Sequence, residues 1–119
     1  MPTRERVKDF IDEVVTGSHV RAIERFYHVD ATMQENNAPP RRGRQALMTH
    51  EQGVLNAYEV YTHPAPTCLI DGDTVAIAWT FDMTDKHGVT RRLEEVALQV
   101  WSGDQVLEER FFYSPPVTL

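Results

Sequence analysis

The stretch TVAIAWTFDMT, residues 74–84, decides the class of fold. Bulky apolar side chains occupy every second residue of this stretch and small or polar ones lie between them, which is the period of a β-strand. The bulky set comprises Val75, Ile77, Trp79, Phe81 and Met83. This face is predicted to pack on the core. The opposite face, made of Thr, Ala and Asp, is predicted to suit close contact with another sheet.

Segments before and after this strand repeat the same alternation. They span residues 57–70, 90–101 and 105–113, and the turns between them carry Asp71-Gly72-Asp73, Asp85-Lys86-His87-Gly88 and Ser102-Gly103-Asp104. Asp-Gly and Gly-Asp pairs between alternating segments are typical of hairpins. Pro64 and Pro66 predict a bend or an edge position in the first segment, since proline cannot donate to a ladder. The pattern therefore predicts an antiparallel meander.

The N-terminal part of the chain has the period of helices instead. An apolar stripe from Val7 to Val15 predicts a helix over 4–16, which ends at Gly17. Ser18 is a predicted N-cap for a second helix that continues through Tyr27. A short strand over 31–36 and a loop with paired prolines precede a third helix, at about 44–55. The inward face of that helix is predicted to be Leu47, His50, Glu51 and Val54.

The predicted order α-α-β-α-β-β-β-β indicates one α+β domain over residues 1–119, with helices packed on a curved antiparallel sheet around a pocket. The net charge of −6 and the lack of a long basic run argue against nucleic-acid binding. No apolar run is long enough to span a membrane, and the N-terminus is charged. A single Cys68 suits a reducing compartment. The expected location is the cytoplasm.

Both faces of the strands over 90–101 and 105–113 are largely apolar, which predicts a homodimer that covers one face. If the face with Val96 and Leu98 points inward, Glu94 lies among apolar neighbours, as does Glu109 on the next strand. A carboxylate in such a place must find a partner or stay protonated, because desolvation raises its pKa. Neutralisation by Arg92 or Arg110 across the strands is the competing interpretation.

The order of elements, with Phe26-Tyr27-His28-Val29-Asp30-Ala31-Thr32 leading into a strand and Pro40-Arg41-Arg42-Gly43 opening a helix, resembles the nuclear-transport-factor-2-like superfamily. That superfamily includes SnoaL-like polyketide cyclases, ketosteroid isomerases and limonene-epoxide hydrolases. The resemblance covers essentially the whole chain. It implies a cystatin-like α+β cone, a pocket at the open end and a dimer.

The resemblance also implies roles for single residues. Glu35 falls where ketosteroid isomerases carry their proton-shuttling Asp. The two oxyanion-hole donors of those enzymes fall on Phe10 and near Val96, with Glu94 two residues away, so neither donor is present at the matching position. Steroid isomerisation is therefore disfavoured, and the Asp-Arg-Asp set of the epoxide hydrolases is not evident.

The candidate catalytic residues are Glu35 as a base, with His50 or a protonated Glu94 as the donor. Alternatively, Glu35 is a carboxylate paired with Arg41 or Arg42. His50 is alternatively a core residue whose ring nitrogens are hydrogen-bonded within the protein. The predicted ligand-binding set, whose aromatic members are otherwise core residues, comprises Tyr27, Trp79, Phe81, Glu109 and Tyr113. The histidines lack the spacing of a metal site, so neither a metal nor another cofactor is predicted.

Two hypotheses of function remain open at this point. The first is a cofactor-free enzyme that isomerises, cyclises, dehydrates or hydrolyses a small hydrophobic molecule by general acid/base chemistry. The second is a ligand-binding or dimeric scaffold protein without a reaction, whose carboxylates are paired with charge. The fold alone cannot choose between them, because one fold hosts many activities.

Overall fold

A computed structural model of the protein describes residues 1–119. Three helices span Arg4–Thr16 (α1), His19–Phe26 (α2) and Arg44–Ala57 (α3). The side chain of Ser18 accepts a hydrogen bond from the backbone N–H of Arg21 at 3.2 Å, which confirms the predicted N-cap of α2. Helix α2 ends one residue earlier than predicted, because Tyr27 has extended backbone and begins the first strand. None of the helices is long and apolar enough to cross a membrane.

Eight strands form one sheet. They are Tyr27–Glu35 (β1), Arg41–Arg42 (β2), Glu59–Thr62 (β3), Thr67–Asp71 (β4), Thr74–Thr84 (β5), Thr90–Ser102 (β6), Gln105–Tyr113 (β7) and Val117–Thr118 (β8). The order is β2-β1-β7-β6-β5-β3, with β4 also paired to β5 and β8 to β6. The outermost strands do not pair with each other, so the sheet is open. The predicted α+β class is confirmed. The sheet is mixed, however, since β1 runs parallel to β7.

The predicted strand over 57–70 is divided in two at its prolines. Its halves, β3 and β4, both pair with β5, at Thr62 opposite Phe81 and at Thr67 opposite Ala78. Ala65 between them has a φ of 54°, so the chain leaves the ladder there and returns to it. The break lets one long strand, β5, carry two short partners along its outer edge.

The inner face of β6 is the reverse of the one predicted. Ala97 and Gln99 are fully buried, whereas Val96 and Leu98 are 44% and 41% exposed. Glu94 shares the exposed face, so its predicted inward orientation is wrong, and Glu95 points inward in its place. Both faces of this strand are apolar in sequence, and a shift of one residue turns every side chain over.

A β-bulge explains why β7 nevertheless places Glu109 inside. Val100 pairs with Glu108 and Trp101 with Val106, so Leu107 is an extra residue on β7. Alternation is interrupted there, which lets both Val106 and Glu109 point into the core.

The outer face of the sheet carries an exposed apolar patch at its centre. Ala76 pairs with Leu98 and Ala78 with Val96, so these side chains are contiguous across β5 and β6. Leu69 on β4 and Phe112 on β7 extend the patch on either side and are 68% and 42% exposed. We propose that this patch packs on the same patch of a second copy, because a flat apolar face of small and branched side chains suits sheet-to-sheet packing.

The dimer can be tested by a charge at the centre of the patch. We expect the protein to sediment as a dimer at tens of micromolar and Leu98→Glu to sediment as a monomer, since a carboxylate there must be desolvated in the interface. Val29→Glu is the matched control, because Val29 is exposed but lies on β1, two strands away from β6. A monomeric wild-type protein at this concentration would contradict the proposal.

Candidate functional site

A cavity of about 330 Å³ lies between the helices and the inner face of the sheet. This volume lies in the range of small-molecule sites, and the wall is mostly apolar, as is usual for such sites. Its polar side chains come from six elements and are His19, Tyr27, Glu35, His50, Glu51, Trp79, Glu95 and Tyr113. The cavity therefore joins residues that are far apart in the sequence.

Strand register places Glu95 between two aromatic rings. On β6, Glu95 pairs with Trp79 of β5 on one side and with Tyr113 of β7 on the other. Side chains directly opposite on one face have Cβ atoms about 4.5–5.5 Å apart. The same-face neighbours along β6 are Leu93 and Ala97, so the four neighbours of Glu95 on the inner face are all apolar or aromatic residues.

Glu95 has no cation or hydrogen-bond donor to stabilise its charge. Burial, as the largest cause, and the negative charges of Glu109, Glu35 and Glu51 together raise the pKa of its carboxyl group to about 8. A carboxyl group with that pKa is mostly protonated at pH 7. It can therefore act as a proton or hydrogen-bond donor to a molecule in the cavity.

Glu35 has the opposite surroundings, although it lines the same cavity. It is the last residue of β1, where the short hairpin to β2 places Arg41 opposite Met33. The guanidinium Nη1 of Arg41 donates to Oε2 of Glu35 at 2.7 Å, and the hydroxyl of Tyr113 donates to Oε1 at 3.3 Å. Two donors on an ionised carboxylate hold it in place as an acceptor. The predicted pairing of Glu35 with an arginine is thus present, with Arg41.

Glu109 does not line the cavity but lies behind its wall. Its side chain is 3% exposed, and its Oε1 accepts a hydrogen bond from the Tyr27 hydroxyl. Its Oε2 accepts from the side-chain amide of Gln99 at 2.7 Å, and the indole of Trp101 donates to the Gln99 oxygen at 2.9 Å. Burial raises the pKa of Glu109 to about 7, although the two hydrogen bonds act against it. The predicted neutralisation by arginine is wrong, because the groups that bond Glu109 are neutral.

Tyr27 connects this buried chain to the cavity. Its ring forms part of the cavity wall, while its hydroxyl donates to Glu109. Burial and the neighbouring Glu109 raise the pKa of Tyr27 well above its usual value. Tyr27 therefore stays neutral, and its hydroxyl proton is used in the hydrogen bond to Glu109.

Helix α2 contributes to the cavity wall a histidine, His19, that the sequence analysis did not indicate as a site residue. The Nδ1 atom of His19 lies 3.1 Å from Oε1 of Glu51, and its Nε2 atom lies 2.8 Å from Oγ1 of Thr62. Helices α2 and α3 are thereby joined to β3 at one point. Its partners are 32 and 43 residues away in the chain, so no local pattern could have revealed the contact.

The structure brings together most of the predicted site residues. Glu35, His50, Tyr27, Trp79, Phe81 and Tyr113 all line the cavity. Glu94 lies on the outer face and Glu109 behind the wall, while Glu95, Glu51 and His19 are additional lining residues. In the sequence, Glu95 shares a face with Leu93 and Trp101, but the opposite face with Val96 and Leu98 is equally apolar, so the pattern did not single out Glu95. No group of three or more His, Cys, Asp or Glu side chains is arranged to hold a metal ion.

The fold and the cavity define an α+β pocket protein in which helices cover the inner face of an open sheet. Residues 7–108 match the family model described as the SnoaL-like domain. The chain therefore belongs to the SnoaL-like domain family, as its resemblance to that superfamily implied. No curated protein matches the chain.

Solved structures support the same assignment. A candidate SnoaL-like polyketide cyclase from Mesorhizobium loti is 28% identical, with a TM-score of 0.79 over 95% of this chain and 100% of that one. A candidate polyketide cyclase from Xanthomonas campestris is 16% identical, with a TM-score of 0.80 over 92% and 88% of the two chains. A Catenulispora acidiphila protein with a ketosteroid isomerase-like fold, in complex with trimethylamine, is 19% identical, with a TM-score of 0.76 over 94% and 87%. The last two show the fold alone.

The raised pKa values predict how stability depends on pH. Glu95 and Glu109 bind protons in the folded state up to pH about 8 and about 7, but in the unfolded state only near 4.5. The folded state holds more protons between these limits, so the free energy of unfolding should fall as pH rises from 5 to 8. Each group contributes a slope of up to about 1.4 kcal/mol per pH unit.

Urea titrations at several pH values measure this slope. We expect Glu95→Gln to flatten the decline and Glu94→Gln, the exposed neighbour, to leave it unchanged. A wild-type stability that stays constant or rises over this pH range would contradict the assignment of raised pKa values.

Proposed function

We propose that the protein is a cofactor-free acid/base enzyme that transfers a proton on a small, largely apolar molecule. One observation carries this proposal: a carboxyl group without a partner in the protein and a carboxylate held by a cation face the same cavity. Glu95 is the neutral group and Glu35 the charged one. Two groups of one chemical type with opposite protonation states are the usual acid and base of such a site.

In this proposal Glu35 is the base and Glu95 is the acid. Glu35 accepts a proton from a carbon next to a carbonyl group or from a water molecule, and Glu95 donates to the substrate oxygen. Tyr113 lies between them, since it pairs with Glu95 in the sheet and donates its hydroxyl proton to Glu35. The apolar wall excludes water and so strengthens both interactions. Isomerisation, cyclisation, dehydration and hydrolysis all use this pair of steps.

The related structures support a small organic molecule as the occupant. Three of them are named as candidate polyketide cyclases, and another as a candidate isomerase. Trimethylamine is the molecule found in complex with the Catenulispora protein. A scaffold without a reaction would leave Glu95 with no role that uses its proton, whereas the acid/base proposal assigns one to it.

Hydrogen–deuterium exchange tests the proposal without knowledge of the natural substrate. Cyclic ketones such as 1-tetralone lose a proton next to the carbonyl group, so deuterium uptake from D₂O, followed by NMR, measures base catalysis directly. We expect exchange above the buffer rate, a loss of about 100-fold in Glu35→Gln, and no change in the exposed control Glu94→Gln. Exchange at the buffer rate for a panel of ketones would contradict the proposal.

The pH dependence of exchange tests the role of Glu95 separately. After subtraction of the buffer rate, we expect catalysis to fall as pH rises through about 8, because Glu95 loses the proton that it must donate. In Glu95→Gln this fall should disappear, since an amide does not titrate. A wild-type rate that is still rising above pH 8 would assign the acid to another group.

A further inference from the structure

Three residues of the cavity wall have donors that are committed to other protein groups. Tyr27 donates to Glu109, and Tyr113 donates to Glu35. Both ring nitrogens of His19 have partners, in Glu51 and Thr62. The remaining lining side chains that can donate are those of His50, Trp79 and Glu95, and none of them makes a hydrogen bond within the protein.

Among these three, the indole N–H of Trp79 is the group that can only donate. It makes no hydrogen bond within the protein, in contrast to the indole of Trp101, which donates to Gln99 at 2.9 Å. Every fully buried side-chain nitrogen and oxygen has a partner, so the N–H of Trp79 retains access to open space. The residue is only 4% exposed and lines the cavity, so that space is the cavity itself.

The ring of Trp79 is also held in a fixed orientation. Phe81 stacks on it with 5.7 Å between ring centroids and 24° between planes, and Phe10 meets it edge-on at 6.5 Å. An indole can only donate through its nitrogen, so it selects an acceptor and never a donor. A rigid donor costs little reorganisation when it binds a developing charge.

Another donor without a partner, the carboxyl group of Glu95, lies directly beside the indole of Trp79. Trp79 and Glu95 are paired residues on β5 and β6 and share the inner face. The carboxyl group of Glu95 has no hydrogen-bond partner in the protein. Two adjacent donors without partners, one of them unable to accept, form a site for a single oxygen atom.

We propose that the indole N–H of Trp79 and the carboxyl group of Glu95 together bind one carbonyl oxygen of the substrate. The inference rests on the proposed function and narrows its substrate class to ketones, esters and related carbonyl compounds. When Glu35 takes the proton from the neighbouring carbon, the C–H electron pair becomes a carbon–carbon double bond. The carbonyl π pair then moves onto oxygen, where both donors stabilise the charge. Trp79 is thereby a catalytic residue.

This pair replaces donors that the chain lacks elsewhere. The positions at which the resemblance places oxyanion donors hold Phe10, an apolar residue of the core, and Val96, which faces outward. Neither side chain can donate a hydrogen bond. The Trp79–Glu95 pair supplies the same kind of interaction from a different pair of strands.

Indole NMR tests the proposal in the wild-type protein, since the chain has only two tryptophans. We expect the ¹H resonance of the Trp79 indole to move farther downfield with 1-tetralone than with tetralin, the hydrocarbon with the same aromatic ring but without the oxygen. The Trp101 indole, which is bonded to Gln99, is the internal control and should respond to neither probe. Assignment follows from Trp79→Phe, which removes one resonance.

Affinity measurements with the same probes give a second readout. Trp79→Phe keeps an aromatic ring but loses the N–H, so it should weaken 1-tetralone binding about 5- to 10-fold and leave tetralin binding unchanged. Phe81→Leu is the matched control and should weaken both probes equally. Binding of both probes with no selective shift of the Trp79 indole would overturn this inference alone. Failure of both probes to bind would overturn the proposed function as well.

Discussion

The register of three strands is the constraint on which the site depends. Because β5, β6 and β7 are aligned so that Trp79, Glu95 and Tyr113 lie side by side, a carboxyl group is fixed between two aromatic rings. A shift of one residue on β6 would replace Glu95 by Glu94 and turn Gln99 and Trp101 out of the core. The burial of Gln99 and Trp101 therefore holds Glu95 in the cavity.

The four glutamates at or behind the cavity wall differ in their hydrogen-bond partners, and this difference determines which of them stays protonated. Glu35 has Arg41, Glu51 has His19 and Glu109 has the neutral donors Tyr27 and Gln99, whereas Glu95 has none. Desolvation and the neighbouring negative charges therefore raise the pKa of Glu95, because no partner stabilises its charged form. The same physical cause that makes the free energy of unfolding decline as pH rises thus keeps Glu95 mostly protonated at pH 7.

The sequence determined the elements better than it determined the faces. Residues 74–84 and 105–113 have strand composition and are bounded by turn residues, so both strands were predicted with the observed limits. Both faces of β6 are apolar, one because it packs inside and the other as an exposed patch, so parity alone could not choose between Glu94 and Glu95. The bulge at Leu107 and the contacts of His19 depend on residues far along the chain.

The central claim is that Glu95 is a neutral acid facing a charged carboxylate, and carboxyl ¹³C NMR titration measures it most directly. Spectra of the glutamate side chains, assigned with Glu95→Gln, give the pKa of each group in the folded protein. We expect Glu95 to titrate at about 8. A value near the ordinary 4.3 or so would mean a solvated carboxylate and would contradict both the acid role and the oxygen site that includes Trp79.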